Sequence, residues 1–197
     1  MTRATLLLLL VAPSAACSRS ASVLLQPAGP SASLVPVRSS PDSVVVPGAC
    51  PFECCQYGTW VLRTVAFLRA APSRGAQLVG QLAVGDTVTA DSGLVIVSPT
   101  GIVLAISDFH DRDSGLELPR GDTLYLLNEL GEGFWNARWH DSTVSVTMWD
   151  IDSTGSHGAK LIRQPISQWW AHLTARGAAL GWADLDVVDV SGADACG

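Results

Sequence analysis

Cysteine offers the widest range of chemistry in this chain, because a thiol can act as a nucleophile, bind a metal ion or form a disulfide. The sequence has five cysteines, at Cys17, Cys50, Cys54, Cys55 and Cys196. Setting Cys17 aside leaves an even number, which suits two disulfides in an oxidising compartment. A bond between the adjacent Cys54 and Cys55 would need a strained ring, so we expect Cys196 to pair with one of them and Cys50 with the other. A zinc site is the alternative, but Cys54-Cys55 lacks the usual C-x-x-C spacing.

The first seventeen residues bear on which of these chemistries applies. Arg3, an apolar run over residues 6–11 and the small residues that follow have the order of a bacterial export signal, and the run is too short to span a bilayer. Ala15-Ala16-Cys17 resembles the lipobox of bacterial lipoproteins, although Ser14 stands where that family usually has an aliphatic residue. The resemblance implies that Cys17 is acylated and anchors the protein to the periplasmic or extracellular side of a membrane. The alternative is ordinary cleavage after Ala16.

Two acidic segments hold oxygen ligands of the kind that a hard cation or a hydrolytic reaction needs. Residues 150–154 (DIDST) resemble the nucleophile loop of haloacid-dehalogenase-type phosphatases, but nothing else in the sequence predicts the α/β sheet of those enzymes. The other segment lacks the regular spacing of a calcium loop; its candidate ligands are Asp108, His110, Asp111, Asp113 and Glu117. No phosphate loop, dinucleotide fingerprint or G-x-S-x-G elbow is present. We therefore expect solvated acidic loops, with no catalytic residue, no metal and no cofactor.

Tryptophan is the dominant aromatic residue, with seven copies against two tyrosines and four phenylalanines. Its broad apolar face and single donor suit grooves that bind sugars or extended peptides. In a strand, Trp135 and Trp139 would share one face, whereas the adjacent Trp169 and Trp170 would point to opposite faces. One hypothesis is therefore a ligand-binding aromatic groove built from Trp135, Trp139 and one of the Trp169/Trp170 pair. The alternative is that these rings fill a small β core.

Composition limits the class of protein and of partner. Hydrophobic residues make up 48% of the 197 residues and charged residues only 15%, which argues against a disordered chain. The net charge of −6 argues against nucleic acid and anionic membrane surfaces as partners. Residues 18–48 are rich in Pro, Ser, Ala and Val, with prolines that interrupt any helix or ladder. We interpret this segment as a disordered tether that lifts the folded part away from the membrane.

From Cys50 onward the sequence predicts short strands and glycine turns, without a sustained 3.6-residue period. This pattern is typical of an all-β barrel or sandwich. Ser98-Pro99-Thr100-Gly101 favours a turn that makes a hairpin of residues 94–97 and 102–106, and residues 155–164 are predicted to be a loop. The other predicted strands cover residues 60–68, 78–82, 87–90, 123–127, 134–140, 143–149, 169–174, 180–184 and 187–190.

Several short motifs resemble bacterial Src-homology-3-like (SH3-like) domains. Residues 67–72 (FLRAAP), 78–82 (LVGQL) and 84–88 (VGDTV) are similar to the opening of such a domain, and residues 118–125 to a second opening. Residues 169–173 (WWAHL) and 180–183 (LGWA) are similar to the closing half. The halves are further apart than in a single domain of this family. The resemblance therefore implies small SH3-like barrels, an incomplete first repeat (49–117) packed on a fuller second one (118–197). One barrel with long insertions is the alternative.

The same resemblance implies a function class without naming a ligand. SH3-like domains of exported bacterial proteins mostly bind cell-wall peptide or glycan, or serve as structural modules. We expect a non-catalytic binding module of the cell envelope whose partners are the membrane, through a lipid on Cys17, and peptidoglycan or another envelope protein. A protein–protein adaptor subunit of an envelope complex is the alternative.

Overall fold

A computed structural model describes residues 42–196 of the chain. The expected export signal, the acylated Cys17 and residues 18–41 of the expected tether lie outside these residues. Within them the secondary structure is entirely β, and no helix is present that could cross a membrane. The strands are β1 (Val44–Pro47), β2 (Gly58–Leu62), β3 (Ala66–Arg69), β4 (Leu78–Leu82), β5 (Thr87–Val97), β6 (Ile102–Ala105), β7 (Phe109–His110), β8 (Glu117–Leu118), β9 (Thr123–Gly131), β10 (Phe134–Trp139), β11 (Ser142–Thr147), β12 (Ile151–Asp152), β13 (Ala159–Arg163), β14 (Ser167–Ala175), β15 (Ala178–Asp184) and β16 (Val190–Ser191).

The first sheet has the strand order β16-β2-β5-β14-β15-β3-β4, and β1 also pairs with β5. Its strands show the period-2 alternation of a half-buried sheet, as in β2, where Trp60 and Leu62 are buried between exposed neighbours. In β5 the buried positions change phase between Ala90 and Gly93, where the register with β14 shifts. This shift lets one long strand serve two parts of a curled sheet.

The second sheet has the order β11-β10-β9-β6-β13-β12, with the β7–β8 pair beside it in the chain. Both come from residues between β5 and β14 of the first sheet. Its core contains Val103, Leu124, Leu126 and Val146, all fully buried. The sheets are curled half-barrels, so the all-β, barrel-like class predicted from the sequence is confirmed.

A small third cluster joins the two sheets. Val95 and Val97 of β5 are buried against Leu127 of β9, and Val44 and Val46 of β1 pack on the same cluster. Strand β1 thus covers an edge where the sheets meet. It lies within the segment that we interpreted as a tether, and that interpretation is wrong for Val44–Pro47. Three consecutive valines favour a strand, and the part of β5 that does not pair with β2 gives them a partner.

The division into two successive units at residues 117 and 118 does not match the strand pairing, since both residues belong to β8. The motifs within residues 67–88 and 169–183 lie together in the first sheet, in the order β5-β14-β15-β3-β4, whereas residues 118–125 overlap β8 and β9. This pairing favours the alternative of one barrel with long insertions. The cause is the antiparallel pairing of β5 with β14 from Thr89 to Val97, a non-local contact with no local sequence signal.

Two local predictions are also wrong. Strands β5 and β6 do not pair with each other, so residues 98–101 connect the two sheets instead of closing a hairpin. Residues 155–164, predicted as a loop, contain β13, which pairs with both β6 and β12. In β13 only Ala159 is fully buried, so the strand lacks the apolar alternation by which it could have been found.

Candidate functional site

Trp170 is the buried member of the Trp169/Trp170 pair, one of which the sequence hypothesis placed in an aromatic groove. Its side chain points to the face opposite Ala171 and Leu173, as the strand alternation requires, yet the residue is only 1% exposed. Its cross-strand partner is Asp184, which binds the guanidinium of Arg74 at 2.6 Å. A ring buried to this degree cannot contact a ligand unless the surrounding structure opens.

The three other tryptophans of that hypothesis are half-buried and pack on two different clusters. Trp135 and Trp139 lie against the core of the second sheet, on the same face of β10 as the buried Ala137. The Nε1 of Trp139 donates to Asp122 at 2.9 Å, and the ring stacks on His140. Trp169 packs instead on the Val95–Val97–Leu127 cluster. The ligand-binding role of these three rings stays a prediction, but they serve as core elements here.

The acidic segments are structural turns in this fold. Asp111 is buried and accepts hydrogen bonds from the backbone N–H of Thr147 at 2.7 Å and from its hydroxyl at 2.8 Å, as well as from Ser114. Asp152 accepts bonds from Thr154 and the Gly155 N–H. The hydroxyl of Thr154 is the first cause, and the Gly155 N–H the next, that lowers the pKa of Asp152 to about 2. Across residues 42–196, no three His, Cys, Asp or Glu side chains form a group that could hold a metal ion.

The four downstream cysteines lie in two pairs, Cys50 with Cys55 and Cys54 with Cys196. This is one of the two arrangements that the sequence left open. The Cα–Cα distances are 5.6 and 5.5 Å, within the usual range for disulfides. The first bond closes the short loop that we call the Phe52 loop, residues 50–55. The second ties that loop to the C-terminal segment, where Cys55 and Asp194 also form a β-bridge.

A cavity of about 340 Å³ lies on one side of the Phe52 loop; we call it the Phe52 cavity. Pro51 and Phe52 form one wall, and residues 185–190 form the other. The fully buried Trp60 also borders the cavity, and its Nε1 donates to the Gln56 carbonyl at 3.0 Å. Because Trp60 has no exposed surface, it supports the cavity without offering a face to a ligand. Phe52 is 47% exposed and Val187 70%, which leaves two apolar side chains at the cavity mouth.

Two carboxylates line the same cavity. Asp186 forms an ion pair with Arg74 at 2.6 Å, and Arg74 also binds Asp184. Burial, and then the nearby charge of Asp184, raise the pKa of Asp186 above its ordinary value despite the arginine. Asp189 is exposed, and its carboxylate has no hydrogen bond or ion pair with the residues that the structure describes. The cavity is therefore lined by both apolar and acidic side chains.

The other side of the Phe52 loop faces the second sheet. A second cavity, of about 350 Å³, lies between the loop and Asn128, Glu129 and Asn136. A smaller one, of about 170 Å³, is bordered by Glu53, Glu129 and Glu132. The loop packs closely here, since a Cβ on Gly131 would lie 2.8 Å from the Cβ of Glu53. Phe52 lines all three cavities, so the Phe52 loop borders each of them.

The sequence patterns did not point to Phe52, because tryptophan is the dominant aromatic residue and the predicted aromatic site was built from tryptophans alone. The available signal was an aromatic residue between two cysteines five positions apart. Such a short closed loop has no interior that could hold a large side chain. The side chains of Pro51 and Phe52 therefore face solvent or a neighbouring segment.

No family model, curated protein or solved structure matches the chain. The assignment of function therefore depends on the geometry of the Phe52 loop and on the sequence patterns.

Proposed function

We propose that this protein is an exported, lipid-anchored, non-catalytic binding module of the bacterial cell envelope, with an SH3-like fold. Its ligand is a component of the cell wall, peptide or glycan, and it binds at the Phe52 loop. The observation that carries the proposal is the Phe52 cavity, an apolar concavity of about 340 Å³ with a half-exposed aromatic ring at its mouth. Its size and apolar lining are those of binding sites for small ligands and peptide side chains.

The cysteine pairing supports the location in the envelope. Two disulfides that meet at adjacent residues, Cys54 and Cys55, suit an oxidising compartment outside the cytoplasm. They also hold the Phe52 loop in place before any ligand arrives, which reduces the entropy lost on binding.

The proposal is tested by retention on purified peptidoglycan. We expect wild-type protein to be retained and Phe52→Ala to lose most of that retention, because the variant removes the apolar wall of the cavity. The matched control is Phe67→Ala, which removes an equally exposed phenylalanine from β3, away from the Phe52 cavity. Negligible retention of all three proteins, or equal loss in both variants, would contradict the proposal.

A protein–protein adaptor is the second candidate, favoured by the edge strand β4. Among the described strands, Leu78–Leu82 (LVGQL) has a neighbour on one side only; it has no charge, and Leu78 and Val79 are each about half exposed. Natural edge strands usually carry charge or proline to prevent pairing with other chains, so an unprotected edge can receive a partner strand. Crosslinking in whole cells separates the two candidates, because an adaptor returns one dominant protein partner.

A further inference from the structure

We infer that the Phe52 cavity binds a positively charged, primary-amine side chain of a peptide, with Asp189 as the residue that receives the ammonium group. The inference rests on the proposed function and specifies which class of cell-wall component the site takes. It distinguishes a cationic peptide from a neutral glycan, because the two would use different parts of the cavity.

The apolar part of the cavity fits the carbon chain of such a side chain. Phe52 and Val187 both line the cavity and are exposed, and the buried Trp60 and Val188 also border it. Trp60 has no exposed surface and its N–H is bound to the Gln56 carbonyl, so the accessible apolar surface is that of Phe52 and Val187. Methylene groups against these two side chains remove apolar surface from water without stranding a polar group of the protein.

Asp189 supplies an exposed carboxylate, on an anchored backbone, to the lining of the cavity. Its backbone is held on both sides, as its N–H donates to the Thr64 hydroxyl at 2.9 Å and its carbonyl accepts from the Arg63 N–H at 2.8 Å. Its carboxylate is without a partner in the described part of the chain, whereas Asp184 and Asp186 share Arg74. A carboxylate whose backbone is anchored and whose charge is unpaired can form a charge-assisted hydrogen bond with little rearrangement.

The surrounding charges favour a cation over an anion or a neutral sugar. Asp184, Asp186 and Asp189 lie within six residues; Arg74 forms ion pairs with the first two, and the backbone of Arg63 adjoins Asp189. On the far side of the Phe52 loop, Glu53, Glu129 and Glu132 add negative charge. An ammonium group that enters the cavity therefore meets a complementary potential, which also speeds its capture.

Two disulfides connect the chain segments that form the two walls of the cavity. Cys50–Cys55 closes the loop that carries Phe52, and Cys54–Cys196 ties that loop to the C-terminal segment downstream of Asp189. The disulfides thus limit how far the loop that carries Phe52 can move relative to the segment that carries Asp189, which favours a preformed site.

The test is calorimetric titration at low salt with a soluble lysine-containing tripeptide and with the same peptide acetylated on the lysine Nε. We expect the amine form to bind wild type roughly tenfold more tightly than the acetylated form, as charge-assisted bonds do. Asp189→Asn is expected to remove this preference, and Phe52→Ala to weaken both peptides. Asp141→Asn, an exposed aspartate in the β10–β11 turn, is the matched control and retains the preference.

The outcomes separate this inference from the proposed function. Equal binding of both peptides by wild type overturns the inference, and so does a preference for the amine form that survives Asp189→Asn. In either case, Phe52-dependent retention on peptidoglycan would still support the proposed function. Retention on peptidoglycan without binding of either peptide also overturns it. Absence of both retention and peptide binding overturns the function itself.

Discussion

At the scale of single residues, Asp111 is a buried charge whose hydrogen bonds hold the segment 108–117 against β11. Burial raises its pKa, but hydrogen bonds from Ser114 and Thr147 lower it by more, so the pKa lies below the ordinary value. A carboxyl group with a pKa lowered by folding stabilises the fold above its unfolded pKa. That contribution is lost as the pH falls through the folded pKa.

We therefore expect Asp111→Asn to lower the free energy of unfolding by about 2 kcal/mol at pH 7, because donors that faced a carboxylate then face an amide. The difference from wild type narrows as the pH falls below about 4. Urea unfolding at pH 7, 5 and 3 measures both effects. Asp113→Asn, two residues away and exposed, is the control and should change stability by less than about 0.5 kcal/mol. A difference in the free energy of unfolding between Asp111→Asn and wild type that stays constant with pH would contradict this role of Asp111.

The residues of the candidate site show what sequence can and cannot predict at this scale. Strand alternation correctly predicts that Trp169 and Trp170 face opposite sides of β14. It cannot predict that Trp170 is buried on its own side, since that depends on residues distant in sequence. The exposure of Phe52, in contrast, has a local cause, because its short disulfide-closed loop has no interior in which to bury the ring.

At the scale of elements, β5 packs closely where it passes Tyr57. A Cβ on Gly93 would collide with the Tyr57 hydroxyl and lie 2.8 Å from the Trp170 carbonyl oxygen. The hydroxyl donates to the carbonyl of Ala49 at 2.6 Å, directly before the Phe52 loop. Only glycine allows β5, β14 and the start of that loop to approach so closely.

We expect Gly93→Ala to lower the free energy of unfolding by roughly 1–3 kcal/mol, the range for overpacked cores. The matched control is Gly80→Ala in β4, where the nearest atom to a new Cβ is Leu68 Cδ1 at 3.8 Å, an ordinary contact. Chemical denaturation of both variants tests the difference. Equal free energies of unfolding for the two variants would contradict this close packing around Gly93.

Elements were predictable from sequence where the pattern is local. Strand β4 covers the predicted residues 78–82, and β10 and β15 are close to their predicted bounds. β13 was missed because its exposed positions hold isoleucine and its half-buried positions hold lysine and arginine, which hides the alternation. β1 was missed because proline-rich neighbours outweighed its three valines.

At the scale of the whole molecule, the sequence predicts an all-β, barrel-like chain but not which strands pair. The connection of β5 with β14 brackets an entire second sheet, and no local pattern encodes a pairing across that distance. The SH3-like motifs gave the correct strand positions in the first sheet, while the family assignment stays a prediction. The insertion explains why the two sets of motifs are so far apart in sequence.

The disulfides act at this scale as well. Cys54–Cys196 joins residues 142 positions apart and closes nearly all of the described chain into one loop. In the chain-entropy model a cross-link of that span stabilises the fold by about 5 kcal/mol. It also fixes the Phe52 loop to the C-terminal segment, so stability and the shape of the proposed binding site depend on the same bond.

Mass spectrometry of the mature protein isolated from cells, with and without reduction, tests the account most directly. An exported module with a disulfide-held site predicts an N-terminal Cys17 carrying acyl chains, together with Cys50–Cys55 and Cys54–Cys196 cross-linked peptides. A polypeptide that retains residues 1–16 and reacts as four free thiols would contradict both the compartment and the covalent frame of the Phe52 cavity.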